Sequence, residues 1–526
     1  MLFQAILTLA LNTLLSQAQT VNTTIQVSIS STPDTTSAVK LSPSLVSFSI
    51  EQDLWAEWVG TTTKNAFFYN ALDNLQKLTG EPPFIRIGAD SEDHTNFDFG
   101  TQISSTIFPA YTTTTPYPEA TNITVGNGFY DLAAQLPAGT HVWWGVNFRD
   151  SNITAAYLEA MAIVKAFKSA PFLAAGITLD FLEIGNEADL YAEHGLRPVG
   201  YGPDQYVPDW TAFATNISVA TALYNTQTRL VGGAFASSTH TVNGLSPQGI
   251  ITSGILDSGA GSLITLISQH HYSGSFCSGS GGLLQDLMTK STIRSNLSSF
   301  SPDIQATQQK GLQYVLGETN SYSCHGAPGV SNTAGAALWA LDYILYAAQI
   351  GISRVHFHDG IGYKYNLIQP VTLTRSILDG TPLATPLAPH IQPAYYAAII
   401  TAEAIGRSGS TQAVEITIDD DRIAGYAFYE AGILVRAILI NSQAFFQGET
   451  NRGSVHVDLA IDSNPQTMTI KRLSIGYADD TAGVTWGGQT YETPDARVSG
   501  KPTVEAVAVS AGVDIQDTEV VLLTFA

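Results

Sequence analysis

Two runs of this sequence end on carboxylates that could work as a pair. Asp180-Phe181-Leu182-Glu183-Ile184-Gly185-Asn186-Glu187 closes a strand-like stretch on Glu187, and Tyr314-Val315-Leu316-Gly317-Glu318-Thr319-Asn320 closes another on Glu318. Two carboxyl groups converging on one mouth can cleave a glycosidic bond: one, with a raised pKa, protonates the leaving oxygen, and the other, ionised, attacks the anomeric carbon. A lone glutamate at a strand end is more often structural. The pairing, with Asn186 ahead of the first and Gly317 ahead of the second, favours chemistry. Glu183, four residues before Glu187 in the same run, is expected to pack inside the scaffold. Other chemistries lack their groups, since no Gly-x-Ser-x-Gly elbow and no phosphate loop occurs. His270 and His271 have no third ligand at zinc-like spacing, and adjacent strand residues point to opposite faces, so no metal and no other cofactor is expected.

A scaffold that brings residues 187 and 318 together is legible in the alternation of patterns. Strand-like runs occur at Leu45–Glu51, Phe84–Asp90, His141–Asn147, Leu179–Asn186, Leu230–Ala236, Leu263–Tyr272, Gln313–Glu318 and Arg354–His358. Between them lie runs of helical spacing such as Asn65–Leu78, Ala155–Lys168, Trp210–Tyr224 and Ala334–Ala348, and a last helix is expected over Ala394–Ile405. Eight strand–helix units over residues 45–406 predict an α/β fold, a (β/α)₈ barrel whose site lies at the C-terminal ends of its strands. A doubly wound open sheet is the alternative, weakened because no Gly-x-Gly-x-x-Gly follows the first strand. Beyond Gly406 helical spacing gives way to short Val/Ile/Thr-rich runs, among them Ala413–Ile418, Ile433–Ile440, Ser454–Leu459 and Val520–Phe525. Residues 407–526 therefore predict an antiparallel β-sandwich, which the alternating segment Thr23–Ser30, within residues 19–44, is expected to join. The connection over residues 91–140 shows no helix. Its Phe97, Phe99, Phe108, Tyr111 and Tyr117 could wall one end of a pocket.

Composition limits the partners. The 526 residues hold 23 Lys+Arg against 45 Asp+Glu, a net charge of −22, so neither nucleic acid nor an anionic membrane finds the basic surface it needs. The uncharged apolar run of residues 1–18, ending in Ser16-Gln17-Ala18, predicts a cleaved signal peptide; it is too short to span a bilayer. Sequons at Asn22, Asn122, Asn152, Asn216 and Asn296 agree with a secretory route and an extracellular, glycosylated product.

Four motifs in order, Arg86-Ile87-Gly88, Ile184-Gly185-Asn186-Glu187, His270-His271-Tyr272 and Leu316-Gly317-Glu318-Thr319, resemble those of family 79 glycoside hydrolases, which include β-glucuronidases and heparanase. The resemblance spans the barrel, and a C-terminal β-domain is also as the family has it. It implies Glu187 as general acid/base, Glu318 as nucleophile, net retention, and a carboxyl separation of roughly 5–5.5 Å. It further implies that Asn186 bonds the sugar 2-hydroxyl, that Tyr272 orients Glu318, and that Glu51 and Asp90 accept bonds from sugar hydroxyls.

A uronic acid substrate would carry a carboxylate toward a chain of net charge −22, so its recognition must be local. The resemblance implies a loop after the eighth strand, here His358-Asp359-Gly360-Ile361-Gly362-Tyr363-Lys364-Tyr365, with Gly362 admitting the ligand to the backbone and Tyr363 donating its hydroxyl. Tyr322 could add a second hydroxyl, and Lys364 is expected in solvent. A cleft cutting sulfated heparan chains would be lined with cations, whereas the predicted loops offer only Arg149, Arg197 and Lys364. The expectation is therefore an exo-acting, retaining β-glucuronidase that removes terminal glucuronic acid or its 4-O-methyl ether from glycans such as arabinogalactan or from small glucuronides. A heparanase-like endo-enzyme, another retaining β-glycosidase (β-glucosidase or β-xylosidase) and a non-catalytic carbohydrate-binding protein are the alternatives. Cys277 and Cys324 follow the sixth and seventh strands, so adjacent loops of that fold would bring them together in a disulfide.

Overall fold

Eight parallel strands close into a barrel in the computed structural model, which describes residues 23–236, 239–462 and 465–526. The expected leader and the sequon at Asn22 lie outside the described residues. The barrel strands are Val46–Glu51, Ile85–Gly88, His141–Val146, Thr178–Ile184, Arg229–Phe235, Ile264–Ser275, Gln313–Ser323 and Val355–Asp359. Each pairs in parallel with the next, and the eighth closes on the first in the register Val355↔Val46 to Asp359↔Ile50. Helices on the outside and side chains on the inside bury both faces of such strands, which is why they read as near-continuous apolar runs. All six residues of Val46–Glu51 and all five of Val355–Asp359 are buried.

Inside the strand ring Trp143, Val231, Leu266 and Val315 form a small cluster of their own, separate from the large core between strands and helices. Arg86 faces Trp143 across the second and third strands, its guanidinium 5.5 Å from the indole ring. A buried arginine at the barrel axis needs acidic company, and the site supplies it.

The helices form where the spacing places them, at Ala66–Thr79, Ile153–Phe167, Pro203–Thr221, Ala334–Gln349 and Tyr395–Ile405. Asn65 and Asn152 cap the first two, their side chains accepting from the Phe67 and Ala155 backbone N–H groups respectively. Residues 91–140 do contain a helix, Asn127–Asp131, too short to show periodicity, and a three-stranded sheet of Thr95–Phe97, Asn122–Val125 and Ser104–Ile107.

The C-terminal domain is a sandwich of a large antiparallel sheet and a three-stranded one. Thr23–Ile29 joins the smaller sheet beside Ser454–Ile461, and this pairing is parallel, the one departure from the expected antiparallel pattern. Val27, Ile29, Val455 and Val457 from one sheet meet Ile423, Leu439, Val521 and Leu523 from the other to make a second core. The outer face of the large sheet, through Tyr426, Phe428, Ile438 and Ile440, packs into the barrel's own core. Among the described residues no helix is long and apolar enough to cross a membrane.

Candidate active site

At the C-terminal ends of the strands opens a pocket of about 700 Å³ lined by Glu51, Asp90, Glu119, Asn186, Glu187, Tyr272, Glu318, His325 and His358, among others. Glu187 and Glu318 face each other across it: with His270 they form a cluster in which a ligand atom from each lies within 4.8 Å of the others. Backbone strain gathers here, since Ala89, Glu187 and Ala234 at the ends of the second, fourth and fifth strands all adopt positive φ, 65°, 50° and 59°. Left-handed geometry at residues with side chains is costly, and it persists where the surroundings hold it. The Glu187 N–H does so, donating to the Ala234 carbonyl at 2.8 Å.

The environments of the two carboxyls differ in sign. Glu318 is buried, yet Tyr272 Oη donates to its Oε1 at 2.7 Å and Arg86 Nη1 to its Oε2 at 2.8 Å. Burial alone would raise its pKa, but His358, Arg86 and Tyr272 hold it well below the ordinary glutamate value. Of the two imidazoles His358 carries the charge: burial opposes protonation, but Glu318 and Glu51 lift it to about 9, whereas burial takes His270 down to about 3. Glu187 moves the other way. Burial, Glu318 and Asp189 push it well above the usual range, and it shares a 2.9 Å hydrogen bond with His270 Nδ1. One carboxyl is kept ionised and its neighbour protonated, the division of labour that general acid and nucleophile require.

Arg86, fully buried, ties the set together. Besides Glu318 it donates to Glu183 Oε1 through Nη2 at 2.6 Å, to Asn186 Oδ1 at 2.8 Å and to Ser49 Oγ at 2.9 Å. Asn186 thereby has its oxygen occupied and its two Nδ2–H donors available to a ligand. Glu183 is the barrel-interior residue its strand position suggested, and it shares the arginine with Glu92, whose Oε2 lies 3.7 Å from Nη2. A side chain at Gly88 or Gly145 would place its Cβ 2.2 or 1.8 Å from Glu92 Oε2, so two strand positions are left bare to admit this buried carboxyl. Burial and Glu183 push Glu92 well above the usual range, against the pull of Arg86.

The sequence-derived residues fall into two groups. Asn186, Glu187, Tyr272, Glu318, Glu51 and Asp90 line the pocket. Glu51 is held by Ser91, whose N–H donates to Oε1 at 2.7 Å, and by His358 at 3.2 Å, whereas Asp90 lies exposed at the rim beside His94. The other expectations are corrected. Tyr322 turns its ring against Gly274 and its hydroxyl toward Gly282, because those glycines leave room on the far side of the loop. Gly362 donates to Gln369 Oε1 at 3.1 Å and stands against the Tyr117 ring, and Tyr363 N–H is taken by the Gly360 carbonyl, so neither of these backbone donors is presented to the pocket. The Tyr363 ring stacks on His325 and lines a neighbouring pocket. Lys364, expected in solvent, is fully buried with Nζ donating to the Thr114 carbonyl at 3.3 Å.

Cys277 and Cys324 form a disulfide that lines the pocket and clamps the loops after strands six and seven. Next to it His325 pairs with Glu119 from the 91–140 connection. Sequence reasoning missed Arg86 as the organiser, although a charged residue inside an apolar strand run is itself a signal; it also missed His358, His325 and Glu92, which carry no local signature. Glu187, His270 and Glu318 could offer ligands to a cation, but Arg86 already supplies positive charge to Glu318. Of the sequons, Asn122, Asn152 and Asn216 are exposed and Asn296 is half-buried.

Residues 425–522 match the family model of the glycosyl hydrolase family 79 C-terminal beta domain. Along most of its length the chain is similar to a beta-glucuronidase of Aspergillus niger, 29% identical over 517 residues, 93% of this chain and 90% of that protein. A beta-glucuronidase of Neurospora crassa is 27% identical over 487 residues, covering 85% and 84%. The crystal structure of a 4-O-alpha-L-rhamnosyl-beta-D-glucuronidase from Fusarium oxysporum superposes with a TM-score of 0.77 at 23% identity, over 95% of this chain and 100% of that one. Barrel, sandwich and paired carboxyls are those of a glycoside hydrolase. Within that class, residues 425–522 are similar to the C-terminal beta domain of family 79.

Proposed function

We propose that this protein is an exo-acting, retaining β-glucuronidase that releases terminal β-D-glucuronic acid, or its 4-O-methyl ether, from glycans such as arabinogalactan or from small glucuronides. The observation that carries the reading is the opposed displacement of two neighbouring carboxyls, Glu187 upward and Glu318 downward. The relatives named as beta-glucuronidases supply the sugar.

Glu318 attacks the anomeric carbon as the glycosidic bond breaks, and Glu187 passes its proton to the departing oxygen. Glu187, now a carboxylate, takes a proton from water, whose oxygen displaces Glu318 and restores both groups. Oxygens within 4.8 Å suit the roughly 5–5.5 Å of retaining pairs better than the gap that inversion needs for an intervening water. Asn186, oriented by Arg86, meets the 2-hydroxyl, and Glu51 and Asp90 accept from the other hydroxyls. The apolar leader and the sequons at Asn122, Asn152, Asn216 and Asn296 support a secreted glycoprotein acting outside the cell on carbohydrate.

A panel of nitrophenyl β-glycosides tests this, run with wild type, Glu187→Gln and Glu318→Gln. Turnover of the glucuronide above the glucoside and xyloside is expected, with a loss of at least a thousandfold in Glu318→Gln. Retained glucuronidase activity in that variant would overturn the mechanism, and preference for the glucoside would overturn the substrate.

A further inference from the structure

Beside the catalytic pocket lies a second one of about 270 Å³, walled by Phe108, Tyr111, Tyr117, Tyr363, Asp53 and Arg375. The partition between the two is thin. Tyr117 lines the second pocket while Glu119, two residues on, lines the first, and the Tyr363 ring of the second stacks at 3.7 Å on the His325 ring of the first.

Arg375 is unusual for this chain. Every other arginine donates from its guanidinium to a protein group: Arg86, Arg294, Arg422, Arg436 and Arg472 reach carboxylates, and the rest reach carbonyls or other polar side chains. Among the described residues Arg375 makes no ion pair, and its Nε is buried without a hydrogen-bond partner. Its guanidinium carbon lies 4.4 Å from the Tyr111 ring centre and 4.7 Å from that of Tyr117. The backbone beneath it is fixed, since Tyr117 Oη donates to the Arg375 carbonyl at 2.9 Å and accepts from the Arg375 N–H at 3.0 Å. A protein of net charge −22 has left a positioned cation unneutralised in a pocket. The other ionisable wall group does not cancel it: burial and Glu51 push Asp53 well above the usual carboxylate range. Tyr111 and Phe108 remain partly exposed, 48% and 39%, and offer flat apolar surface.

A guanidinium fork matches a carboxylate, and aromatic faces match the C–H face of a pyranose. We propose that this pocket is a second saccharide subsite, taking a carboxylate-bearing sugar residue of the substrate chain other than the one cleaved. The substrate class then becomes acidic oligosaccharide with at least two uronate units, one for each pocket. This rests on the glucuronidase reading for the identity of the chain, but not for the presence of the subsite.

Binding to full-length Glu318→Gln protein, measured by titration calorimetry, separates the two. The probes are methyl β-glucuronide, an oligosaccharide with a terminal and an internal glucuronate, and the same oligosaccharide with its internal carboxyl reduced to the alcohol. The diacid is expected to bind at least tenfold tighter than the reduced form. Adding Arg375→Ala should erase that difference while leaving methyl glucuronide within twofold, and Arg375→Lys, which keeps the charge but not the fork, should fall between. Equal affinity for the two oligosaccharides in the parent protein overturns the proposal. So does an Arg375→Ala loss as large for the monosaccharide, which would make Arg375 part of the first pocket. Failure of the glucuronidase reading shows separately, as absent glucuronide turnover by wild type.

Discussion

Replacing Arg86 with methionine should weaken both the fold and the chemistry, in a way that pH reveals. The guanidinium is fully buried and holds Glu183 at 2.6 Å and Glu318 at 2.8 Å. Removing one partner from a buried charged pair costs about 3–5 kcal/mol, because the remaining charge is stranded away from water. Methionine fills much of the volume, so the loss is electrostatic rather than a cavity. Glu318 has a folded pKa below its ordinary value of 4.5, so its contribution to stability is fully present above that value and is lost as pH falls toward the folded pKa. The deficit in Tm of Arg86→Met against wild type should therefore be full near pH 7 and shrink below pH 4.5. Turnover should fall by about a hundredfold to a thousandfold, the usual effect of deleting one positioned donor at a reacting group. The acidic limb of the pH–rate profile should move upward, because Glu318, the proposed nucleophile, stays protonated to higher pH without its cation. Scanning calorimetry at the two pH values and a glucuronide pH profile check this. A Tm deficit independent of pH, or an acidic limb that stays in place, would refute the electrostatic account of Arg86.

Two further outcomes follow from the same geometry. Asp189 is among the groups that raise Glu187, and its Oδ1 accepts from the Ala236 N–H at 2.9 Å, a bond asparagine can keep; Asp189→Asn should therefore shift the alkaline limb, where the acid form of Glu187 is lost, to lower pH, and an unmoved limb would count against the assignment. Replacing both cysteines by serine frees a 47-residue loop and should cost about 4 kcal/mol in the chain-entropy account, with a raised KM because the bridge lines the pocket; a lower Tm with unchanged KM would show that the loops hold their places without it.

The architecture was legible because its signals are repeated. All eight barrel strands appear where strand-like runs of five to ten residues alternate with helical spacing, and Glu187 and Glu318 are recognisable as polar residues ending such runs. What was not legible depends on loops bonding to themselves. Gly362 and Tyr363 have the right types for a ligand contact, but Gln369, seven residues after Gly362, takes the glycine's N–H, a choice no local pattern announces. Tyr322 was misplaced because its direction is set by Gly274 and Gly282, in another strand and another loop. Lys364 reads as a solvated cation from its type alone, whereas its burial depends on Thr114 in the 91–140 connection. The parallel pairing of Thr23–Ile29 escaped the reading because alternation says which face is buried, not which neighbour lies alongside or in which direction it runs.

That first strand also sets a schedule. Gln26 meets Asp458 across 432 residues of chain, so its partner does not exist until most of the polypeptide has been made. At roughly 5–20 residues per second the ribosome needs on the order of 20–90 s to supply it. During that interval every barrel strand emerges and can close, while Val27 and Ile29 stay without the sheet that buries them. Completion of the sandwich is thus a late step of synthesis: a chain truncated before residue 454 holds every barrel strand, yet Thr23–Ile29 lacks the strand it pairs with.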